Sequence, residues 1–80
     1  MRDDIPALVR SILAEVCAID PGRVQDQARL ASFGVDSVRA VDVLVAIEHR
    51  LGVEIPDQEA ASLSTVADLI AAVTARRRAS

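Results

Sequence analysis

The sequence predicts an all-α fold: a small bundle of three main helices plus one short helix, with a long loop between the first two helices. In three stretches, apolar residues recur at steps of three and four, the period of a helix with one buried face. Eighty residues are enough for one core, and with Phe33 as the single aromatic residue that core is aliphatic. We expect a single domain over residues 1–80, with a helical core at about 4–75 and a frayed basic tail at 76–80.

The first helix is predicted from its start signals and its apolar face. Asp3 or Asp4 can cap it, and Pro6 suits its first turn. The residues of the apolar face are Ile5, Leu8, Val9, Ile12, Leu13 and Val16. The Asp-Pro-Gly sequence at 20–22 is a strong helix breaker and ends this element.

A long connection follows at residues 23–35, and most of its residues are polar. A loop of this length in so small a domain has to be held by side chains that reach the core. We expect Val24, Leu30 and Phe33 to be those anchors.

The next segment fits two patterns. Alternate apolar residues from Val41 to Ile47 would suit a half-buried strand. The run of 37–51 is longer than a usual strand and lacks glycine and proline, while Asp36 and Gly52 are fitting N-terminal and C-terminal caps, so we predict a helix. A broad apolar face of this helix fits Val38, Val41, Leu44, Val45, Ile47 and Leu51. Of these, Val38, Val41, Leu44 and Leu51 are predicted to face inward. The more exposed ones are predicted to be Arg39, Asp42, Val43, Ala46 and Arg50, with Glu48 near the edge of the buried face.

The last third is predicted to be an extended segment, a short turn and a final helix. Residues 53–56 are extended because the residue before a proline avoids helical angles, and one short turn follows at 58–61, capped by the preceding aspartate. The final helix begins at Ser64 or Thr65, where Thr65 and Asp68 resemble a capping box. Its apolar face consists of Val66, Leu69, Ile70 and Val73.

Composition excludes several classes of function. A net charge of −3, with three of the nine basic residues in the tail, argues against nucleic acid and favours a basic protein surface as partner. The acidic start lacks the apolar run of a signal peptide and no stretch has the length of a membrane span, so we expect a soluble cytoplasmic protein. The lone Cys17 is expected to pack in the core, and it excludes an internal disulfide and a cysteine-based zinc site.

The residues for catalysis are also missing. A nucleophilic Ser37 needs a base, and the single histidine, His49, lies twelve residues along the same predicted helix. That spacing corresponds to about 18 Å, so the two side chains cannot meet within one chain. We therefore predict a protein that is not an enzyme and has no metal site.

Asp36 and Ser37 form the most informative pair in the chain. Asp36 is a good N-cap, so Ser37 takes the first helical position, beside unpaired amides and the positive end of the helix dipole. Such an environment suits an anion, for example a phosphate. By itself, an Asp-Ser pair at a helix start is usually only a cap.

The residues around this pair resemble a known family. Phe33-Gly34-Val35-Asp36-Ser37-Val38 is similar to the phosphopantetheine attachment motif of acyl carrier proteins, whose usual core is Gly-x-Asp-Ser-Leu. The resemblance extends to 30–33, 40–44, 51–57 and 63–69, and so covers most of the chain from the first helix to about Val73. The chain departs from the pattern at Val38, where leucine is usual. Its second helix is also less acidic than in fatty-acid carriers, because of Arg39, His49 and Arg50.

This resemblance implies an acyl-carrier-protein-like bundle and a function. A phosphopantetheinyl transferase would use coenzyme A and Mg²⁺, which is not held stably by the carrier, to attach 4′-phosphopantetheine covalently to the Ser37 hydroxyl. The arm would carry acyl chains as thioesters to a ketosynthase, an acyltransferase or acyl-loading ligase, and tailoring enzymes. We expect a monomer. The implied partner-docking residues are Asp36, Val38, Arg39, Asp42, Val43, Ala46 and Glu48.

The pathway is open at this level. We favour a freestanding carrier of a polyketide or related secondary pathway, since the closure at 55–57 is similar to that of stand-alone carriers; a module of a larger synthase is the alternative. The alternatives are a fatty-acid-synthesis carrier, an aminoacyl or peptidyl carrier and, from a different class, an unmodified adaptor between proteins. An aliphatic core could also part to admit a bound chain, although small bundles often pack this way for stability alone.

Overall fold

A computed structural model describes residues 4–79, with the backbone alone for Ser37 and Ala79. Three long helices and one short helix are present, as predicted: α1 (Ile5–Cys17), α2 (Ser37–Leu51), α3 (Asp57–Ala61) and α4 (Val66–Ala79). Two 3-10 turns, Pro21–Arg23 and Leu30–Phe33, lie in the loop between α1 and α2. Within residues 4–79 the only β-type pairing is an isolated antiparallel bridge between Arg29 and Thr65.

Helix α1 begins and ends at side-chain and backbone caps. The Asp4 carboxylate accepts the Ala7 N–H at 3.3 Å, which assigns the cap to Asp4; Asp3, the other candidate, lies outside the described residues. At the other end Ala18 takes a left-handed conformation with φ of 56°, and the Ile19 N–H donates to the Ala14 carbonyl. The helix therefore stops before the proline at position 21.

One aliphatic core lies between α1, α2 and α4, and no buried polar side chain interrupts it among the described residues. Its largest fully buried side chains are Val9, Ile12, Leu13, Ile47, Val66, Leu69 and Val73. The loop between α1 and α2 is anchored as expected, because Val24 is buried and both Leu30 and Phe33 pack against the core. Phe33 is only half-buried, so the single aromatic ring lies at the edge of the core.

The predicted buried face of α2 was wrong in part. Val38 is 75% exposed and Val41 is 58% exposed, although both were expected to face inward. Val43, expected outside, is 3% exposed, and Ile47 is completely buried. Val43, Ile47 and Leu51 recur every fourth residue and lie on one side of the helix. The helix carries valines on both sides, and the line that continues to Leu51 is the one that faces α1 and α4.

The loop between α1 and α2 is joined to the start of α4 by backbone hydrogen bonds. The Leu30 N–H donates to the Ser64 carbonyl at 2.9 Å, and the Val66 N–H donates to the Ala28 carbonyl at 3.0 Å. The Ala67 N–H donates to the Asp26 carbonyl at 2.9 Å. These bonds fix the loop beside α4 in addition to its side-chain anchors.

The predicted capping box of α4 is confirmed. The Asp68 carboxylate accepts the N–H groups of Ser64 and Thr65 at 3.1 Å each, and the Thr65 hydroxyl accepts the Asp68 N–H at 3.1 Å. The two backbone hydrogen bonds hold the pKa of Asp68 below its usual value, because they stabilise the ionised form.

The end of α4 differs from the frayed tail that we expected. The helix continues to Ala79, and two of the tail arginines contact other elements. The Arg76 guanidinium pairs with Glu59 at 3.0 Å, and Arg77 donates to the Leu51 carbonyl at 2.7 Å. These contacts hold the last turns of α4 against α3 and the end of α2.

The segment between α2 and α4 is extended and then forms one short helix. Gly52 ends α2 in the left-handed conformation, with φ of 66°. Val53 and Ile55 alternate into the core, and the Ile55 N–H donates to the Glu48 carboxylate at 2.9 Å. The N-cap of α3 is Pro56, so Asp57 is its first residue instead of the cap that the sequence predicted.

The orientation of α2 can be tested with two valines that lie two residues apart. We expect Val43→Ala to lower the free energy of unfolding by about 2 kcal/mol, because it removes buried methyl groups and leaves a cavity. Val45→Ala is the matched control: Val45 is 57% exposed, and its truncation is expected to change stability by less than about 0.5 kcal/mol. Urea unfolding followed by circular dichroism measures both values, and equal losses would contradict this orientation.

Candidate functional site at the start of helix α2

The turn before α2 sets the position of Ser37. Gly34 has a φ of 79°, a left-handed conformation that favours glycine, and its N–H closes the preceding 3-10 turn on Ala31. Asp36 is then extended, and its carboxylate accepts the Arg39 N–H at 2.8 Å as a helix N-cap. Ser37 is therefore the first residue of α2, as the sequence predicted.

The start of α2 fits an anionic group attached to Ser37. Asp36 accepts the N–H of Arg39 through its side chain and that of Ala40 through its carbonyl. The first N–H groups of a helix, here those of Ser37 and Val38, have no carbonyl partner within the helix. Together with the dipole of this 15-residue helix, they favour negative charge at its N-terminus.

A cavity of about 460 Å³ opens next to this helix start. It lies between α1, α2, α3, the start of α4 and the loop that precedes α2. Its apolar lining consists mainly of Leu13, Leu30, Val43, Leu44, Leu63 and Leu69, and three polar residues, Arg29, Asp36 and Ser64, line it as well. Because the polar residues are exposed and most of the leucines are not, the cavity is apolar inside and polar at its mouth.

The exposed face of α2 differs from the one predicted. It carries a stripe of three valines, Val38, Val41 and Val45, at helical spacing, with the exposed Asp42 beside them. Val43, predicted as a docking residue, is buried and cannot contact a partner without unfolding. Ala46 is half-buried at the edge of this face.

Two other predicted docking residues make contacts within the chain. The Arg39 guanidinium donates to the Val16 carbonyl at 2.8 Å, where it meets the negative end of the α1 dipole. The half-buried Glu48 accepts the Ile55 N–H and so joins α2 to the extended segment. The helical spacing of Glu48 predicted that it lies at the edge of the buried face. The backbone groups that Arg39 and Glu48 bind belong to other segments, and the sequence gives no indication of these contacts.

The side chains of Cys17 and His49 add no reactive group to this site. Partial burial raises the pKa of the Cys17 thiol, and the nearby Arg39 cation opposes that shift without cancelling it. His49 is exposed in the last turn of α2. Within residues 4–79, no three His, Cys, Asp or Glu side chains come together as metal ligands. None of the described helices is long and apolar enough to cross a lipid bilayer.

Comparison with known proteins shows the family of this chain. A family model described as "Phosphopantetheine attachment site" matches residues 7–73. An acyl carrier protein of Thermosynechococcus vestitus is 37% identical over 70 residues, which cover 86% of this chain and 86% of that protein. The chain belongs to the acyl carrier protein family. Its cofactor is therefore a covalently attached 4′-phosphopantetheine, and the protein is a carrier and not an enzyme.

Solved structures show that the carrier fold is shared. An acyl carrier protein of Thermotoga maritima superposes with a TM-score of 0.81 at 22% identity, over 99% of this chain and 98% of that one. A structure described as a mupirocin didomain ACP gives a TM-score of 0.78 at 22% identity. That match covers 95% of this chain and 42% of the didomain chain, so this carrier spans less than half of it.

Sequence reasoning missed several residues of the site. Arg29, Leu63 and Ser64 line the cavity, yet they lie in connecting segments whose composition gives no indication of contact. The resemblance of 63–69 to the family was a signal, but it pointed to the start of a helix and not to a cavity wall. Val45 fits the broad apolar face that its spacing predicts, yet it is exposed, because the side of α2 that faces α1 and α4 is the one with Val43 and Ile47.

The cap at Asp36 makes the start of α2 testable without any partner. We expect Asp36→Ala to lower the free energy of unfolding by about 1 kcal/mol, since it removes the acceptor for the Arg39 N–H. Asp36→Asn retains a capping oxygen and is expected to keep most of that stability. Asp42→Ala removes an exposed carboxylate from the middle of the same helix and serves as control. Denaturant unfolding of the unmodified chain gives the comparison, and an equal loss in all three variants would count against the cap.

Proposed function

We propose that Ser37 carries the phosphopantetheine arm and that the protein delivers polyketide-type acyl intermediates to the enzymes of a secondary pathway. The observation that carries this proposal is the position of Ser37. It is the first residue of α2, after the Asp36 cap and beside the mouth of the cavity. A phosphate on its hydroxyl would lie at the positive end of the helix, and an attached chain could reach the apolar interior.

The modification itself is a phosphoryl transfer made by a partner enzyme. The Ser37 hydroxyl oxygen forms a bond to the β-phosphorus of coenzyme A, the pyrophosphate bond breaks, and 3′,5′-ADP leaves. The hydroxyl proton passes to a base of the phosphopantetheinyl transferase, which also holds the Mg²⁺. The carrier contributes the exposed helix start and its unpaired N–H groups. The arm supplies a terminal thiol on which acyl groups are held as thioesters.

The polyketide assignment is supported by the charges of α2. The helix carries Arg39, His49 and Arg50 among its residues and is less acidic than the helix of typical fatty-acid carriers. Carriers of fatty-acid synthesis or of aminoacyl groups are the close alternatives. An unmodified adaptor, the alternative from another class, disagrees with the covalent cofactor of the family. The adaptor fails if Ser37 is modified, so one experiment separates the two classes.

Partner enzymes are proposed to dock on the exposed face of α2. Val38, Val41 and Val45 supply an apolar stripe, and Asp42 offers a carboxylate to a basic partner surface. Any enzyme that acts on the arm has to approach Ser37, and this face begins beside it. Asp36 takes part as the residue that orients the helix start, while Val43 is removed from the docking set by its burial.

Modification is tested first. With coenzyme A, Mg²⁺ and a broad-specificity phosphopantetheinyl transferase, we expect the wild-type chain to gain the mass of one phosphopantetheinyl group. Ser37→Ala should gain none, because it lacks the hydroxyl. Ser32→Ala, which removes a hydroxyl from the preceding 3-10 turn, is the matched control and should be modified normally. Intact-protein mass spectrometry reads all three; a modified Ser37→Ala would move the attachment site, and an unmodified wild type would refute the carrier function.

Docking is tested by charge reversal and salt. We expect Asp42→Lys to slow transfer from a basic partner severalfold at low salt, with the difference fading as salt screens the charges. Asp57→Lys makes the same charge change on α3 and should have a smaller effect. Arg39→Glu is expected to improve recognition by fatty-acid-synthesis enzymes, which are built for an acidic helix. Initial rates of acyl transfer at several salt concentrations give the answer, and wild-type rates for every variant would exclude α2 as the docking face.

A further inference from the structure

At the mouth of the cavity beside Ser37 lies a cation, Arg29, that pairs with no carboxylate among residues 4–79. Arg29 and Asp36 both line the cavity, on the side where it meets solvent. Each of the other lining residues is apolar except Ser64. Among the described side chains, the Arg29 guanidinium has no ion pair and no hydrogen-bond partner, whereas Arg10, Arg50 and Arg76 all pair with carboxylates.

The backbone of Arg29 is held by hydrogen bonds, although its side chain has no partner in the part of the chain that the structure describes. Its bridge to Thr65 and the Leu30 N–H bond to Ser64 fix this part of the loop against the start of α4. The Ser32 hydroxyl also donates to the Arg29 carbonyl at 2.6 Å. A guanidinium attached to such a fixed backbone stays within reach of the cavity mouth and offers several N–H donors to an oxygen acceptor there.

We propose that Arg29 is a specificity-determining residue that binds an oxygen atom of the acyl cargo, a keto or carboxylate oxygen carried along the chain. The inference rests on the proposed carrier function and names its class of cargo. The remaining carbons of such a chain would lie among the leucines of the cavity, while the oxygen stays at the mouth. A fully reduced alkyl chain has no acceptor there and would gain only the apolar contact.

An anionic oxygen near Arg29 has a second source, the phosphodiester of the arm itself. The phosphodiester oxygens and the cargo oxygen can both accept hydrogen bonds from a guanidinium. The two sources are distinguished by comparing the protein with an unloaded arm and with two different cargoes. The unloaded arm presents the phosphodiester alone. A hexanoyl chain adds carbons without oxygen beyond the thioester, and a 3-oxohexanoyl chain of equal length adds one keto oxygen.

The test follows the Arg29 side chain directly. The position of the Arg29 Nε–H resonance is compared in ¹⁵N-labelled protein with that of the unmodified chain. We expect it to shift when the arm on Ser37 carries 3-oxohexanoyl cargo. With hexanoyl cargo and with the empty arm, we expect it to stay at the position of the unmodified chain. An equal shift in all three states would assign the cation to the phosphodiester and overturn the proposal, as would the absence of any shift.

Thioester protection gives an independent readout. The rate of cleavage by hydroxylamine is measured for each loaded protein and divided by the rate for the same acyl-pantetheine. We expect the wild-type protein to protect the 3-oxohexanoyl thioester about threefold to tenfold more than Arg29→Gln does, with hexanoyl protection unchanged. Arg23→Gln makes the same charge change in an exposed 3-10 turn outside the cavity and should behave as wild type.

The outcomes are distinguishable from a failure of the carrier function. If Ser37 accepts no arm, the proposed function fails before Arg29 is tested. If both thioesters form and Arg29→Gln changes neither protection factor, the carrier function stands and the role of Arg29 is refuted. Equal losses for Arg29→Gln and Arg23→Gln would show a general charge effect and would also refute it.

Discussion

The backbone pairing between residues 26–30 and 64–67 is the constraint on which the site depends. Its hydrogen bonds join the long loop to the start of α4. The Asp68 capping box in turn holds the backbone of residues 64 and 65, on the α4 side of the pairing. From that fixed point, only the rest of the 3-10 turn, Gly34 and Val35 separate Leu30 from Asp36, the cap of α2. The position of Ser37, the wall of the cavity and the backbone of Arg29 therefore all follow from one short stretch of paired backbone.

The far end of α2 is held by side chains in place of paired backbone. Arg77 donates to the Leu51 carbonyl at the C-terminus of α2, and Glu48 accepts the Ile55 N–H from the segment that follows. Helix α3 lies between α2 and α4 in the chain, and its five residues form part of the cavity wall. So short a helix has little stability of its own. The Glu59–Arg76 pair joins α3 to α4, and Ala60 of α3 packs against the core, so both contacts help to keep this wall in place.

The sequence predicted the helices well because their ends carry local signals. Asp4, Asp36 and the Thr65–Asp68 pair are caps that act within four residues, and Gly52 ends α2 where a left-handed residue is needed. The buried face of α2 could not be chosen in this way, since valines lie on both sides and burial is decided by α1 and α4. The loop pairing and Arg29 were beyond prediction for the same reason. Backbone bonds between distant segments require no particular residue types.

The arginines of α2 illustrate why helix composition is only a partial guide to the surface that a partner meets. Arg39 and Arg50 make the helix less acidic in sequence, yet both donate to α1: Arg39 to the Val16 carbonyl and Arg50 to the Glu15 carboxylate. Their charge is thus partly engaged on the side of the helix that faces α1. The stripe of Val38, Val41 and Val45 occupies the open side, with Asp42 as its neighbour. The affinity of a partner for this face would then depend mainly on apolar contact with the three valines. The charges would mainly change the rate of association.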